Sequence, residues 1–160
     1  MNSFDASIVI PAFNEDFAIQ KTLELIKLTS SINLEVLIIV DDENDSTIAA
    51  VSNYSLKNET VRVLVQNYGK GPANAIRFGM DNAKAECIVV MMADGSDDAR
   101  VIPDLVNLIN RGVVVSCASR YMSGGQQVGG PRLKKLMSKT AGIILYFAAG
   151  KIIIKVRLRN

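Results

Sequence analysis

The sequence predicts an α/β fold with a mostly parallel sheet, on two observations. Stretches rich in β-branched residues alternate five times with stretches of helical apolar spacing, which is typical of successive strand–helix units. The 160 residues are 49% hydrophobic and 21% charged, a balance typical of a globular domain that folds without cross-links. We therefore expect a single domain over residues 1–160, without internal repeats or linkers.

The first half of the chain predicts three strands and two helices. Short apolar runs rich in β-branched residues predict buried strands at 6–11, 34–40 and 61–66. Apolar residues at helical spacing predict helices at 17–30 and 45–54. Asp45 or Ser46 suits the cap of the second helix, because both side chains can accept a hydrogen bond from the first free amides.

The second half continues the same alternation. A turn at Gly69–Pro72 predicts the start of a helix. The apolar runs after it predict two further strands and one further helix. The predicted helices are 73–84 and 102–110, and the predicted strands are 86–92 and 112–119. A Gly-rich loop spans 123–130, and a last helix begins near Pro131.

The absence of histidine and the small number of cysteines exclude several kinds of catalytic site, zinc site and disulfide-linked fold. The chain has no histidine, which excludes Ser-His-Asp and Cys-His nucleophile systems and His-ligated zinc. Cys87 and Cys117 are too few for a disulfide framework and lie in apolar runs, so we expect buried free thiols in a reducing compartment. No signal peptide is visible, because Asp5 interrupts the start and the apolar run after it is short. These features favour a cytoplasmic protein.

The net charge of +2 conceals a strong asymmetry. Residues 131–160 carry eight Lys and Arg and no acid, whereas the preceding residues have a net charge of −6. The apolar run 140–150 is shorter than the roughly 20 residues of a spanning helix, and the lysines around it suit a bilayer surface. We expect this basic, apolar C-terminal segment to contact an anionic partner, such as a membrane surface or a phosphate. A solubilising or cloning-derived end is the alternative.

Two further expectations about partners follow from this segment. Exposure of its apolar residues would favour self-association into a homodimer. Nucleic acid is not expected as a partner, because the segment has one aromatic pair, Tyr146 and Phe147, and no recognisable binding module.

Polar clusters directly follow three of the predicted strands. They are Asn14 and Glu15, then Asp41 and Asp42, then Asp94, Ser96, Asp97 and Asp98. In open α/β sheets ligands bind outside the carboxyl ends of the strands, so these residues are the candidate site. The alternative is that they cap helices and form turns, which Asp-Gly-Ser-Asp often does.

The chemistry of these clusters favours a metal-bound diphosphate. Carboxylates gathered at one edge repel one another unless a cation or hydrogen-bond donors lie among them. Mg²⁺ or Mn²⁺ binds through one or two carboxylates together with substrate phosphates. The turn after the first strand has no glycine, which excludes a dinucleotide-binding G-x-G-x-x-G, and Gly69-Lys70-Gly71 lacks the spacing of a Walker A loop.

Five segments in order resemble the family 2 glycosyltransferases, most closely the polyprenol-phosphate and dolichol-phosphate sugar transferases. They are IVIPAFNE (8–15), LIIVDDENDST (37–47), NYGKGPANAIRFGM (67–80), VVMMADGSDD (89–98) and ASRYMSGG (118–125). The resemblance covers residues 6–147. It implies the GT-A fold, a Rossmann-like α/β/α sandwich with a mostly parallel central sheet.

The resemblance also implies roles for individual residues on the donor side. Residues around the nucleotide would be Pro11, Phe13, Glu15, Lys70 and Gly71. Asp41 or Asp42 would accept a hydrogen bond from the base. Asp94 matches the last Asp of the family's D-x-D and would hold Mg²⁺ or Mn²⁺, with help from Ser96 or Asp97. The chain departs from this motif at Met92, which stands where the first Asp is expected.

On the acceptor side, the resemblance implies that Arg120, Arg132 and Ser138 cradle an anionic group. An Arg guanidinium suits a phosphate because its planar fork can bind two oxygens. A structural salt bridge is the alternative for Arg120. A lipid phosphate is already ionised and nucleophilic, so the reaction needs no general base, in agreement with a chain that lacks histidine. Asp94 and Arg120 are therefore the predicted catalytic residues.

The expected activity is inverting, metal-assisted transfer of a sugar from a GDP- or UDP-sugar to a polyprenyl phosphate. Peripheral contact with the inner face of the membrane would accompany it. The alternative is a nucleotide-binding but inactive, truncated domain, because the end KIIIKVRLRN (151–160) does not resemble the family's continuation. A receiver-type phosphoacceptor domain does not fit, because it would need an Asp pair after the first strand and a lysine after the fifth.

Overall fold

A computed structural model of the chain describes residues 4–29, 31–55, 59–119 and 140–141. The chain divides into two compact units, Met1–Val113 and Val114–Asn160. The first unit contains the sheet and its helices, and the following paragraphs concern it unless stated otherwise. In the second unit the described residues are 114–119 and the helical pair Thr140 and Ala141. The predicted Gly-rich loop and nearly all of segment 131–160 lie outside the described residues.

Four parallel strands form one sheet in the described part of the chain, in the order β3-β2-β1-β4. The strands are Ala6–Pro11 (β1), Leu34–Val40 (β2), Val61–Val65 (β3) and Ile88–Val90 (β4). Every residue of β1 and β2 is buried, which explains why both strands are mostly apolar, with Ser7 and Glu35 as their polar residues, rather than alternating between apolar and polar residues. The predicted parallel α/β sheet is confirmed.

Helices cover both faces of this sheet. They are Ala18–Thr29 (α1), Ser46–Ser55 (α2), Pro72–Asp81 (α3) and Ile102–Asn110 (α4), the last preceded by a 3₁₀ turn at Ala99–Val101. One core joins Ile8, Ile10 and Ile38 to the buried residues of α1, α2 and α4. A second, smaller core joins Val9, Leu37 and Ile39 to Ala75 of α3. Alternate strand residues therefore point to opposite layers, as in an α/β/α sandwich.

The packing of α3 on the sheet depends on one glycine. A Cβ added at Gly79 would lie 2.3 Å from Cγ1 of Val9 and 3.2 Å from Cγ1 of Ile39. These separations are shorter than van der Waals contact, so any larger side chain would push the helix away from β1. Gly79 therefore fixes the distance between α3 and the sheet.

A buried carboxylate organises the amino ends of the strands. Glu35 on β2 is 1% exposed and accepts hydrogen bonds from Ser7 Oγ at 2.7 Å, Arg62 Nη2 at 2.8 Å and the backbone amide of Lys84 at 3.0 Å. Ser7 Oγ in turn accepts from the amide of Ala85 at 3.0 Å. This network joins β1, β2 and β3 to the loop before β4, at the edge opposite the candidate site.

Two predictions about the chain after α4 are wrong. Residues 113–119 contain no strand, although we predicted one at 112–119, and Val114 and Val115 are 91% and 74% exposed. A β-branched run has the composition of a strand but forms one only where it finds a pairing partner. Cys117 is for the same reason exposed rather than buried, whereas Cys87, beside the sheet, is buried as expected.

Candidate functional site

The three polar clusters lie at one edge of the sheet, because they follow adjacent parallel strands. Strand β1 lies between β2 and β4, so the loop containing Glu15 runs between those containing Asp42 and Asp94. Neighbouring strands are about 4.8 Å apart. The chain also reverses its direction of winding between β1 and β4, and such a switch point is where α/β sheets bind ligands.

The loop after β1 displays an aromatic side chain on a fixed backbone. Pro11 ends β1 and is buried, whereas Phe13 is 69% exposed. Asn14 has a φ of +54°, in the left-handed region, and its backbone amide donates to both carboxylate oxygens of Asp45 at 3.1 and 3.2 Å. The amide of Glu15 donates to Thr47 Oγ1 at 2.9 Å. The loop is therefore attached to the start of α2.

The two aspartates after β2 differ in their surroundings. Oδ1 of Asp41 accepts from Gln66 Nε2 at 2.7 Å, and Oδ2 accepts from the backbone amide of Gly71 at 2.8 Å. Asp41 thus connects the end of β2 to the turn before α3. Asp41 and Gly71 are both predicted site residues, but the sequence does not predict that they bind each other.

Of the two aspartates after β2, Asp42 is the more accessible to a ligand. Its side chain is 48% exposed, and Oδ2 lies 3.9 Å from Nζ of Lys70, whose side chain is 79% exposed. Hydrogen bonds from the backbone and side-chain amides of Asn44 lower the pKa of Asp42, and the charge of Lys70 contributes less. Asp42 is therefore ionised near neutral pH and accessible to a ligand.

The loop after β4 is a tight turn around Asp94. Ser96 donates its backbone amide to Asp94 Oδ1 at 2.9 Å, and Asp97 Oδ2 accepts from the amide of Met92 at 2.8 Å. Gly95 has a φ of +71°, which suits glycine. The hydroxyl and the amide of Ser96 lower the pKa of Asp94, whose carboxylate is exposed.

Asp98 has a different role from its neighbours. It caps the 3₁₀ turn by accepting from the amide of Arg100 at 3.0 Å, and it pairs with the guanidinium of the same residue at 2.7 Å. The hydrogen bonds from the Arg100 side chain lower the pKa of Asp98. Turn formation, which we weighed for Asp97 and Asp98, thus accounts for the contacts of Asp98.

The described residues at this edge would hold a divalent cation together with further ligands. No group of three Asp, Glu or Cys side chains close enough to hold a metal occurs within residues 4–29, 31–55, 59–119 and 140–141. Asp94 offers an exposed, ionised carboxylate, and one or two carboxylates with phosphate oxygens are what Mg²⁺ takes in nucleotide sites. The residues present therefore suit a cation that arrives with a diphosphate.

Two residues that hold the edge together were missed as site residues in the sequence. Gln66 and Asp45 are each 6% exposed, and both bridge loops that carry site candidates. For Gln66 the available signal was a polar residue at the end of a strand, and for Asp45 it was a helix cap close to the site. The predicted acceptor residues Arg120, Arg132 and Ser138 lie outside the described residues. In the part of the chain that the structure covers, no helix is both long and apolar enough to cross a membrane.

The chain matches the model of a known protein family and is similar to several known proteins. The family model described as glycosyl transferase family 2 matches residues 7–154. The chain is 31% identical over 147 residues to a dolichol-phosphate mannosyltransferase of Pyrococcus furiosus, covering 91% of this chain and 42% of that protein. It is 30% identical over 119 residues to a prophage bactoprenol glucosyl transferase homolog of Escherichia coli, covering 71% of this chain and 38% of that protein.

A solved structure supports the fold. The chain matches a mannosyltransferase from Pyrobaculum calidifontis in complex with GDP-Man and Mn²⁺, with a TM-score of 0.50 and 21% identity. The match covers 59% of this chain and 28% of that one. At this identity the likeness concerns the fold, and it agrees with the predicted GT-A architecture.

Proposed function

The chain belongs to glycosyl transferase family 2, and from that premise we propose that it transfers a sugar from a nucleotide-diphosphate sugar to a polyprenyl phosphate. One observation carries the proposal: the exposed Asp42 and Asp94 and the loop of Glu15 follow three adjacent strands at the ligand-binding edge. The names of the relatives support the acceptor, since one uses dolichol phosphate and the other bactoprenol.

The donor is a GDP- or UDP-sugar. The exposed ring of Phe13 can stack on a base, since every base has a π-face, and Pro11 and Glu15 border the base and ribose. Of the aspartate pair, Asp42 is the residue that accepts from the base, because both oxygens of Asp41 already accept hydrogen bonds within the protein. Lys70 and Gly71 lie in the turn beside the nucleotide.

The cofactor is Mg²⁺ or Mn²⁺, as in the complex of the Pyrobaculum enzyme with Mn²⁺. Asp94 would hold it, assisted by Ser96 or Asp97. A bound divalent cation offsets the negative charge that builds up on a departing diphosphate. Hydrogen bonds from Ser96 lower the pKa of Asp94, so its ionised form, which a cation binds, is the favoured one.

On the acceptor side, Arg120, Arg132 and Ser138 bind the lipid phosphate, and Arg120 orients it for reaction. A phosphate oxygen forms the new bond to the anomeric carbon from the side opposite the diphosphate. The bond between that carbon and the diphosphate oxygen breaks, and its electron pair leaves with the nucleotide, so the anomeric configuration inverts. The basic segment 131–160 holds the protein at the cytoplasmic surface of the membrane and favours a homodimer.

A nucleotide-binding protein without transferase activity is the second candidate. The specific observation in its favour is Met92, which leaves Asp94 as the one carboxylate of the D-x-D motif. The chain also spans 42% of the Pyrococcus relative and 38% of the Escherichia one. Under this candidate the chain binds the nucleotide but transfers no sugar.

Titration calorimetry with GDP-mannose, UDP-glucose, GDP and UDP, each with and without Mn²⁺, tests nucleotide binding. We expect one nucleotide series to bind and to need the metal for full affinity. Incubation of the preferred donor with polyprenyl phosphate then tests transfer by the appearance of glycosylated lipid. Binding with transfer supports the first candidate, and binding without transfer supports the second. A chain that binds none of the four ligands contradicts both.

A further inference from the structure

We propose that Asp45 is a positioning residue for the nucleotide site, acting through the backbone of Asn14. This inference rests on the proposed function, because it concerns the affinity of the same site. Asp45 lies at the start of α2, outside the set of residues that the family resemblance brings to the nucleotide. The hydrogen bonds it makes to the loop after β1 suggest this role.

The contacts between the two elements are reciprocal. Both carboxylate oxygens of Asp45 accept from the backbone amide of Asn14, at 3.1 and 3.2 Å. In return, Asn14 Oδ1 lies 3.4 Å from the amide and from the hydroxyl of Ser46. The amide of Glu15 donates to Thr47 Oγ1 at 2.9 Å. The residue before α2 and the first two residues of α2 thus contact two consecutive residues of the loop.

Capping of α2 explains only part of this arrangement. A helix cap needs one side-chain acceptor, and Asp45 Oδ1 provides it to the amide of Thr47 at 2.9 Å. The remaining acceptor capacity of the carboxylate goes to Asn14. Asn14 has a φ of +54°, a backbone conformation that residues other than Gly, Asn and Asp rarely adopt. A charged acceptor, itself 6% exposed, therefore holds a sparsely populated backbone conformation in place.

The consequence concerns the side chains on either side of Asn14. Phe13 precedes it and Glu15 follows it, and both border the nucleotide in the proposed function. A loop that already has its binding conformation loses less conformational entropy when the nucleotide binds. The protein therefore binds the nucleotide more tightly. Asp45 is expected to raise nucleotide affinity without touching the nucleotide.

Substitutions can separate the holding of the loop from the capping of the helix. Asp45→Asn keeps a good cap through Oδ1, because Asn is as favourable as Asp at that position. It removes the negative charge and places an amide donor, instead of the Oδ2 acceptor, against the amide of Asn14. Thr47→Val keeps the shape of the side chain and removes the acceptor for Glu15. Asp5→Asn is the matched control, since Asp5 also accepts from a backbone amide, that of Asn33 at 2.7 Å, at the opposite end of the sheet.

Two measurements on the 160-residue chain test the proposal. Hydrogen exchange of the Asn14 and Glu15 amides reports the loop without any ligand, and calorimetry with GDP and with UDP, each with Mn²⁺, reports affinity. For Asp45→Asn and Thr47→Val we expect faster exchange and a Kd raised about tenfold, as loss of one charge-assisted or buried hydrogen bond would give. We expect the Asp5→Asn control to keep the wild-type Kd, even where it lowers the melting temperature.

The outcomes separate the inference from the proposed function. Wild-type exchange at Asn14 in Asp45→Asn would overturn the positioning role, and faster exchange with a wild-type Kd would overturn its effect on the nucleotide. The exchange result needs no ligand, whereas the comparison of Kd values requires a wild-type chain that binds nucleotide. If the wild-type chain binds neither GDP nor UDP, the proposed function fails, and the inference fails with it.

Discussion

Nε2 of Gln66 lies 2.7 Å from Oδ1 of Asp41, and this contact ties the end of β2 to the turn that precedes α3. The same nitrogen donates to the carbonyl oxygen of Gly69 at 2.6 Å, and Oε1 accepts from the amide of Tyr68, also at 2.6 Å. One buried amide therefore uses both of its ends to shape the turn that presents Lys70.

Replacing Gln66 tests the importance of this turn. Gln66→Leu leaves the Tyr68 amide without its acceptor and Asp41 without one of its donors, so we expect the free energy of unfolding to fall by about 2–3 kcal/mol. Urea denaturation measures the change. Gln20→Leu is the control, because Gln20 is exposed and makes one hydrogen bond, to the carbonyl oxygen of Ala50. Equal losses in the two variants would contradict the special role of Gln66.

Asp94 and Asp98 provide a matched pair for the metal. We expect Asp94→Asn to abolish the part of nucleotide affinity that depends on Mn²⁺, because the amide is a much poorer ligand than a carboxylate. Asp98→Asn should leave that part intact, since Asp98 pairs with Arg100 instead. Titration calorimetry with nucleotide, with and without Mn²⁺, measures this part of the affinity in both variants. A metal effect that survives in Asp94→Asn would remove Asp94 from the metal site.

Substitutions of Glu35 test the hydrogen-bond network at the amino ends of the strands, opposite the candidate site. Glu35→Ala leaves the partly buried Arg62 without its carboxylate partner, and breaking a buried pair in this way costs about 3–5 kcal/mol of unfolding free energy. Glu35→Gln keeps the shape and one acceptor, so we expect a smaller loss. Urea denaturation measures both, and nucleotide affinity should stay at the wild-type value in Glu35→Gln. A loss below 1 kcal/mol in Glu35→Ala would show that water replaces the carboxylate.

The close contact at Gly79 predicts a compensating pair of substitutions. Gly79→Ala sets a methyl group against Val9, and overpacking of this kind costs about 1–3 kcal/mol. Val9→Ala removes the opposing methyl groups, so the double variant should lose less than the sum of the two single losses. Thermal unfolding of the four chains measures this coupling. Additive losses would indicate that α3 moves away from the sheet instead.

The pH dependence of stability has a definite sign. The pKa values of Asp42, Asp94 and Asp98 are lowered in the folded protein, by Asn44, Ser96 and Arg100 respectively. A lowered folded pKa stabilises the protein fully above the unfolded value of about 3.9, and this stabilisation is lost as the pH falls through the folded value. We expect urea midpoints to be level from pH 7 to 5 and to fall below pH 4.

This profile has its own control. The chain has no histidine, so no imidazole titrates between pH 5 and 7. Asp98→Asn should show a smaller fall below pH 4 than the wild-type chain, because it removes one of the three lowered pKa values. A midpoint that drops between pH 7 and 5 would contradict the assignment of acid sensitivity to these aspartates.

The sequence predicted the sheet better than its surroundings. The bounds of β1 and β2 agree with the prediction residue for residue, because both strands are buried on two faces and each is apolar except for one residue, Ser7 in β1 and Glu35 in β2. Strand β4 is shorter than predicted, with pairing limited to Ile88–Val90 against β1. The predicted strand at 112–119 is absent, since composition reports the propensity of a segment and not its partner.

The candidate site was predictable in position but not in its internal contacts. The rule that ligands bind at the carboxyl ends of parallel strands located Glu15, Asp42 and Asp94 from the strand bounds alone. Gln66 and Asp45 act through hydrogen bonds to residues that are distant in the chain. The Gln66 side chain donates to the Asp41 carboxylate, 25 residues away, and Asp45 accepts from the backbone amide of Asn14, 31 residues away. Sequence periodicity contains no information about such pairs.

The strand order also determines when the site can assemble during synthesis. Strand β1 finds its first neighbour when β2 leaves the ribosome, but its second neighbour, β4, ends only at Val90. A nascent chain can therefore build the side of the site around Asp42 early, while the side around Asp94 must wait. During that interval one edge of β1 has unpaired backbone groups, so the chain can misassociate through this edge until β4 pairs with it.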